Sequence, residues 1–253
     1  MRGKVNISFT HIIFYILSTL YQKGNTVIRG YIIRYNDPPI KNFISIDGVC
    51  AGVQGVPQCN PYTTKTAFEN QSLKNKMIRT NKRQLEERNS MKEKFNVHDI
   101  CMMFEEITTT ISYTNFMQKN LFPANYFIDP HPETLDAYLE YSMLAKYSND
   151  GNYFNQTYID NFLSVDKFMW VMALNDTTVI PRAKEHWKEI DPYDFHKILN
   201  MNETRWFKSD SFGLRSAYQL GKFSFRNHTG SHVEIPPHQF QSLIQEMFEN
   251  SKP

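Results

Sequence analysis

Two polar side chains stand where an open α/β sheet offers groups to a substrate. Asp176 follows the apolar run Phe168-Met169-Trp170-Val171-Met172-Ala173-Leu174 and Asn175. His232 follows the shorter run Lys222-Phe223-Ser224-Phe225-Arg226 across a polar loop. Sites of such sheets lie at the carboxyl ends of the strands. An acid paired with a histidine there would accept the imidazole Nδ1–H and fix the tautomer whose Nε2 takes a proton from a nucleophile. A strand-end carboxylate can equally be a cap and a lone histidine a core or surface group, so spacing alone leaves both readings open. Cys50, Cys59 and Cys101 form no CxxC pair, which argues against a structural zinc site. Histidines 228, 232 and 238 fall in one stretch read as a loop, with no carboxylate pattern to complete a metal site. No metal or other cofactor is expected. Nothing in the spacing supports Cys50 as a nucleophile.

These groups need elements to hold them. Phe168–Leu174 reads as the clearest buried strand, Lys222–Arg226 as a second, and Asn42–Gly48, short, β-branched and closed by glycine, as a third. Val27–Ile33 is an apolar run that fits a helix or a strand. From 97 to 165 the pattern turns helical, with Ile100, Met103, Phe104 and Ile107 at i, i+3, i+4, i+7, and aromatic residues and Met are dense. Such a stripe is core by default, though a greasy ligand groove uses the same residues. Pro236-Pro237 opens a final amphipathic helix with Phe240, Leu243, Ile244, Met247 and Phe248.

The 253 residues fit a single α/β domain, and 41% hydrophobic and 14% aromatic residues suffice for a sizeable core. With 28 basic and 26 acidic residues the net charge is +2, so no field points to nucleic acid or anionic lipid. Charge is uneven locally. Residues 63–96 hold nine Lys or Arg against four Glu, which reads as a solvated or disordered insertion, with a basic arm for an acidic partner as the other reading. Ile12–Leu17, the longest apolar run, is too short for a transmembrane helix. Arg2 and Lys4 ahead of it imitate a signal peptide, but Tyr21-Gln22-Lys23-Gly24 offers no clean cleavage site; a buried strand or helix is the other reading. Asn6, Asn70, Asn155, Asn175, Asn202 and Asn227 begin glycosylation sequons, which leans toward the secretory pathway.

Several segments resemble, in order, the palmitoyl-protein thioesterases. They are Phe43–Gly48 continuing to Gly52-Val53-Gln54-Gly55-Val56-Pro57-Gln58-Cys59, then Tyr126-Phe127-Ile128-Asp129-Pro130 and Asn155-Gln156-Thr157-Tyr158, then Leu174–Pro181, Asp210–Leu214 and Gly230-Ser231-His232. The resemblance runs from about Gly24 to the C-terminus, interrupted by the basic insertion. It implies an α/β-hydrolase fold and the removal of long fatty acyl groups from cysteine thioesters of proteins, in lysosomes or outside cells. By it Asp176 is the triad acid, His232 the general base, and 97–165 a helical lid lining an acyl groove. It also implies a Cys59–Cys101 disulfide with Cys50 free, and glycans on Asn155 and Asn175. The partners would be S-acylated proteins or fatty acyl thioesters, with no nucleic acid; the oligomeric state is not implied.

The sequence departs from that family at its nucleophile. The family's serine sits in a Gly-x-Ser-x-Gly elbow, and here the matching stretch is Leu20-Tyr21-Gln22-Lys23-Gly24, with Gln22 in the serine's place. A carboxamide cannot be deprotonated to attack a thioester. Ser18 lies nearby without a flanking glycine. The backbone N–H of Lys23 would be one oxyanion donor. With Gln22 close to Met1, the strands that normally precede the elbow are expected to be missing. Two functions follow: a thioesterase-family hydrolase whose chain as given is inactive, or a catalytically dead lipid-binding or interaction protein that keeps the groove.

Overall fold

A computed structural model describes residues 22–55 and 111–249, with side chains from 24 to 55 and from 111 to 248. The Ile12–Leu17 run, Ser18, Cys59, Cys101, the 63–96 insertion and the Ile100–Ile107 stripe lie outside the described residues, as do the side chains of Gln22 and Lys23.

The ambiguous run after Gly24 is helical, in α1 (Gln22–Arg34). Ile28, Ile32 and Ile33 are buried, while Val27 points outward at 58% exposure, so the stripe has helical rather than alternating period. It leads through a sharp break at Asp37-Pro38 into β1 (Asn42–Ile46). Short helices fill the next described stretch: α2 (Asn115–Asn120), α3 (Leu135–Tyr141), α4 (Met143–Tyr147) and α5 (Gln156–Leu163). The clearest sequence strand is β2 (Lys167–Ala173). Then come β3 (Glu189–Asp191), β4 (Asp194–Leu199), α6 (Arg205–Ser209), α7 (Leu214–Gln219), β5 (Phe223–His228) and α8 (Pro237–Glu249).

β1, β2 and β5 form a parallel sheet in that order, with Phe43 opposite Phe168 and Trp170 opposite Phe225. Alternation along β2 splits its side chains between two faces. Phe168 and Trp170 point into one core with Phe43, Phe162 of α5 and the isoleucines of α1. Met169 and Val171 point the other way, with Ile44, onto Leu243 and Met247 of α8. This burial on both faces explains why the sequence shows an unbroken apolar run there. The first core is rich in aromatic rings: those of Phe162 and Phe168 stack at 4.6 Å and those of Phe168 and Trp170 at 5.4 Å. β3 and β4 form a separate antiparallel hairpin, which the sequence analysis does not foresee.

Arg29 ties α1 to the helical stretch. Its guanidinium is buried, donates to Cys50 O at 2.7 Å and Ser148 Oγ at 2.9 Å, and lies 4.6 Å from the Phe212 ring centre. Burial lowers its pKa to about 10, which still leaves a cation at neutral pH. Gly48, just past β1, is required by close packing: a Cβ there would lie 2.1 Å from Ser45 Oγ and 2.9 Å from the Asn25 side chain. Asn25 in turn donates to Ile46 O at 2.9 Å, so the first turns of α1 abut the carboxyl end of β1. Between 111 and 165 the described residues are helical or irregular and hold no strand.

Candidate functional site

All three parallel strands end at the same edge of the sheet, and each delivers a titratable side chain just beyond or at its carboxyl end. Asp47 follows β1, Asp176 follows β2, and His228 closes β5 with His232 four residues on. Asp176 sits in a tight turn in which its Oδ1 accepts the N–H groups of Thr178 at 2.6 Å and Val179 at 3.0 Å. The other oxygen, Oδ2, lies 2.6 Å from Nδ1 of His232. The carboxylate is buried and the imidazole largely so, at 15% side-chain exposure.

The loop carrying His232 is tied to β2's exit. Leu174 N–H donates to His228 O at 2.9 Å, and the Asn175 side chain donates to Thr229 O at 2.8 Å. Gly230 is the tight point, because a Cβ there would meet Glu234 O at 1.8 Å. Burial pushes the Asp176 carboxyl up. Hydrogen bonds from His232 and the amides of Val179 and Thr178, together with the neighbouring Glu185 carboxyl, more than offset this and hold it below its ordinary value. An ionised Asp176 takes the proton-bearing nitrogen of His232, so Nδ1 donates and Nε2 is the basic atom of the neutral ring.

Sequence reasoning missed a second acid–histidine pair. His228, read as one of three loop histidines without a carboxylate, is the last residue of β5, and its Nε2 lies 2.8 Å from Asp47 Oδ1 with neither side chain exposed. Nδ1 of His228 accepts the Gly230 N–H at 3.1 Å, so Nε2 must carry the proton that bonds Asp47. Asp47 Oδ2 accepts the Val233 N–H at 2.7 Å. The pair therefore grips the His232 loop on both sides. His238, the third of that group, belongs to α8. The one available signal was the position of Asp47 at the end of a buried strand, the same logic that singles out Asp176.

Glu185 was also missed. It lies in a single 3₁₀ turn (Arg182–His186), yet is buried, and its Oε2 accepts the Ala173 N–H at 2.9 Å. Among the described residues, Asp176, Glu185 and His232 are the one group whose donor atoms lie close enough for a shared ion, within 4.8 Å of one another. The spacing suits hydrogen bonds better. Two ligands of a tetrahedral zinc, each about 2.0–2.1 Å from it, stand roughly 3.3 Å apart, against 2.6 Å between Oδ2 and Nδ1.

Gln22 and Lys23 are the first described residues of α1. Cys50 is a free thiol, buried beside Ser45 Oγ at 3.7 Å, and burial pushes its pKa up to about 11; it is a poor nucleophile. Asn175 is exposed, and Asn155 caps α5 by accepting the Thr157 N–H at 3.0 Å.

A parallel sheet with helices on both faces and its polar side chains gathered at the carboxyl edge defines an α/β protein whose site lies at that edge. The family model described as Palmitoyl protein thioesterase matches residues 20–232, and the chain belongs to that family, which implies the α/β-hydrolase fold. "Palmitoyl-protein thioesterase 1" of Caenorhabditis elegans is 26% identical over 216 residues, covering 85% of this chain and 60% of that protein. "Palmitoyl-protein thioesterase 3" of Dictyostelium discoideum is 24% identical over 218 residues, covering 85% and 61%. The chain thus spans about three fifths of the length of these relatives.

Proposed function

We propose that this site is that of a palmitoyl-protein thioesterase-like hydrolase, built for the removal of long-chain fatty acyl groups from cysteine thioesters of proteins, and that the 253-residue chain itself does not turn over. The observation that carries the reading is the 2.6 Å bond between His232 Nδ1 and Asp176 Oδ2, at the ends of adjacent parallel strands, in a chain of this family. In the mechanism, Asp176 holds the imidazole and His232 Nε2 is the general base. The Lys23 N–H is an oxyanion donor. Gln22 stands where the nucleophile belongs and has no acidic proton to give up, so the covalent step has no starting atom. The 97–165 stretch, described from 111 onward, is read as the lid lining the acyl groove.

Gln22 equally favours a second reading, a lipid-binding or interaction protein that keeps the groove without the chemistry. Both readings require acyl binding, and calorimetry with a non-hydrolysable palmitoyl thioether peptide tests it. At about 0.8 kcal/mol per buried methylene, shortening the chain by two carbons is expected to weaken binding roughly tenfold. Affinity independent of chain length contradicts a groove in either role.

A lysosomal or secreted location is supported by the sequons, since Asn175 is exposed and Asn155 is a half-buried helix cap of α5. Peptide mapping after glycosidase treatment of protein from its native host is expected to find glycans at Asn155 and Asn175. Neither site modified would count against that location.

A further inference from the structure

A Glu185 carboxyl oxygen lies within 4.8 Å of an Asp176 carboxyl oxygen and a His232 ring nitrogen, and the mechanism so far gives it no task. Its surroundings decide which of the two acids is ionised. Asp176 accepts three donors, from Thr178 N–H, Val179 N–H and His232 Nδ1–H. Glu185 accepts one, from Ala173 N–H on Oε2, while its Oε1 is buried and receives none. The charged groups on its own turn face elsewhere. Arg182 is exposed, Lys184 Nζ reaches Glu189 at 3.5 Å, and His186 Nε2 lies near the carbonyl oxygens of Trp170 and Arg226. From β1 comes only a further acid, Asp47, and from the loop after β5 comes His232, already committed to Asp176.

Two buried carboxyls this close, neither of them paired with a lysine or arginine, do not both stay ionised. An oxygen that receives no donor, beside one that is well supplied, is where the shared proton belongs. We infer that Glu185 is a neutral carboxylic acid whose Oε1–H donates to Asp176, making a three-membered chain Glu185–Asp176–His232 in which Glu185 is a positioning residue. Burial, the contact with Asp176 and the charge of Asp47 act in the same direction and push the Glu185 carboxyl up to about 11. The consequence is chemical as well as structural. A donor on the far side of Asp176 draws off part of its negative charge, which keeps the carboxylate in place but lowers the proton affinity of His232.

This deepens the reading of Asp176 and His232 as acid and base and rests on it for its consequence, but its test needs no turnover. Infrared difference spectra of the full chain at pH 7 are expected to show the carbonyl stretch of a protonated carboxylic acid. Glu185→Gln should remove that band, and Asp47→Asn should leave it. Glu185→Gln supplies an amide N–H to Asp176 and an amide oxygen to Ala173, so the His232 titration followed by NMR should shift little. Glu185→Leu removes the donor, and the His232 midpoint should rise by about one pH unit, each unit being a tenfold change in proton affinity. No band at pH 7, or a band that survives Glu185→Gln, overturns the inference even if Glu185→Leu fails to fold. A failure of acyl binding would leave these spectra unchanged and speak only against the proposed function.

Discussion

Replacing Asp47 with alanine is expected to destabilise the folded chain by about 3–5 kcal/mol, because it breaks a buried acid–histidine pair by removing one partner. Two donors lose their acceptor at once: Nε2–H of His228 and the N–H of Val233, which Asp47 meets at 2.8 Å and 2.7 Å. Each orphaned buried donor costs about 1–3 kcal/mol. Alanine also inherits the left-handed backbone of this position, at φ 49°. Equilibrium denaturation of Asp47→Ala, His228→Leu and the double variant measures the effect. The double variant should cost less than the sum of the singles by about 0.5–3 kcal/mol, since once one partner is gone the other has less to lose. Additive costs would show that the pair is not the unit that grips the His232 loop.

The acids at this edge set opposite pH dependences. Burial raises the Asp47 carboxyl against the opposing bonds from His228 and Val233, so its favourable share of stability is full below the ordinary carboxyl range and lost as pH rises through its folded value. Glu185 has the same sign, with its loss spread from the ordinary glutamate range up to about 11. Asp176 is lowered, so its contribution is present above the ordinary aspartate range and lost as pH falls through its folded value.

How legible each part was in the sequence follows from how local its cause is. β2 announces itself because both faces are buried, which leaves no polar alternation to blur the run. α8 follows from its prolines and its helical stripe, of which Leu243 and Met247 are buried as expected and Phe248 is 39% exposed. Val27–Ile33 fits either period, and only packing against the helical stretch makes it α1. The hairpin β3–β4 is invisible, because Asp194–Leu199 is largely exposed, mixes charged and apolar residues, and owes its form to pairing with β3. Asp176 and His232 could be named from strand ends and family resemblance. Glu185, inside the polar run Arg182-Ala183-Lys184-Glu185-His186, reads as solvated surface, and only the fold turns it inward beside Asp176. His228 was grouped with its neighbours in sequence, while its partner Asp47 lies across the sheet.

The second large effect concerns catalysis, where the account stands on one position. Members of a nucleophile–histidine–acid set act as a unit, and loss of the nucleophile costs about 10⁶-fold in the measured serine hydrolase series. On the proposed reading Gln22 takes the nucleophile's place, which leaves the Asp176–His232 pair nothing to activate. Gln22→Ser alone is not expected to restore the reaction, because the elbow also needs a small residue where Leu20 stands. The direct measurement is hydrolysis of a palmitoyl thioester by the purified 253-residue chain beside its His232→Ala variant. Equal rates for the two proteins are the predicted result. Faster hydrolysis by the unmodified chain, lost on His232→Ala, would contradict the assignment of Gln22 to the nucleophile's place and with it the claim that this chain keeps the acid and base of a thioesterase without its chemistry.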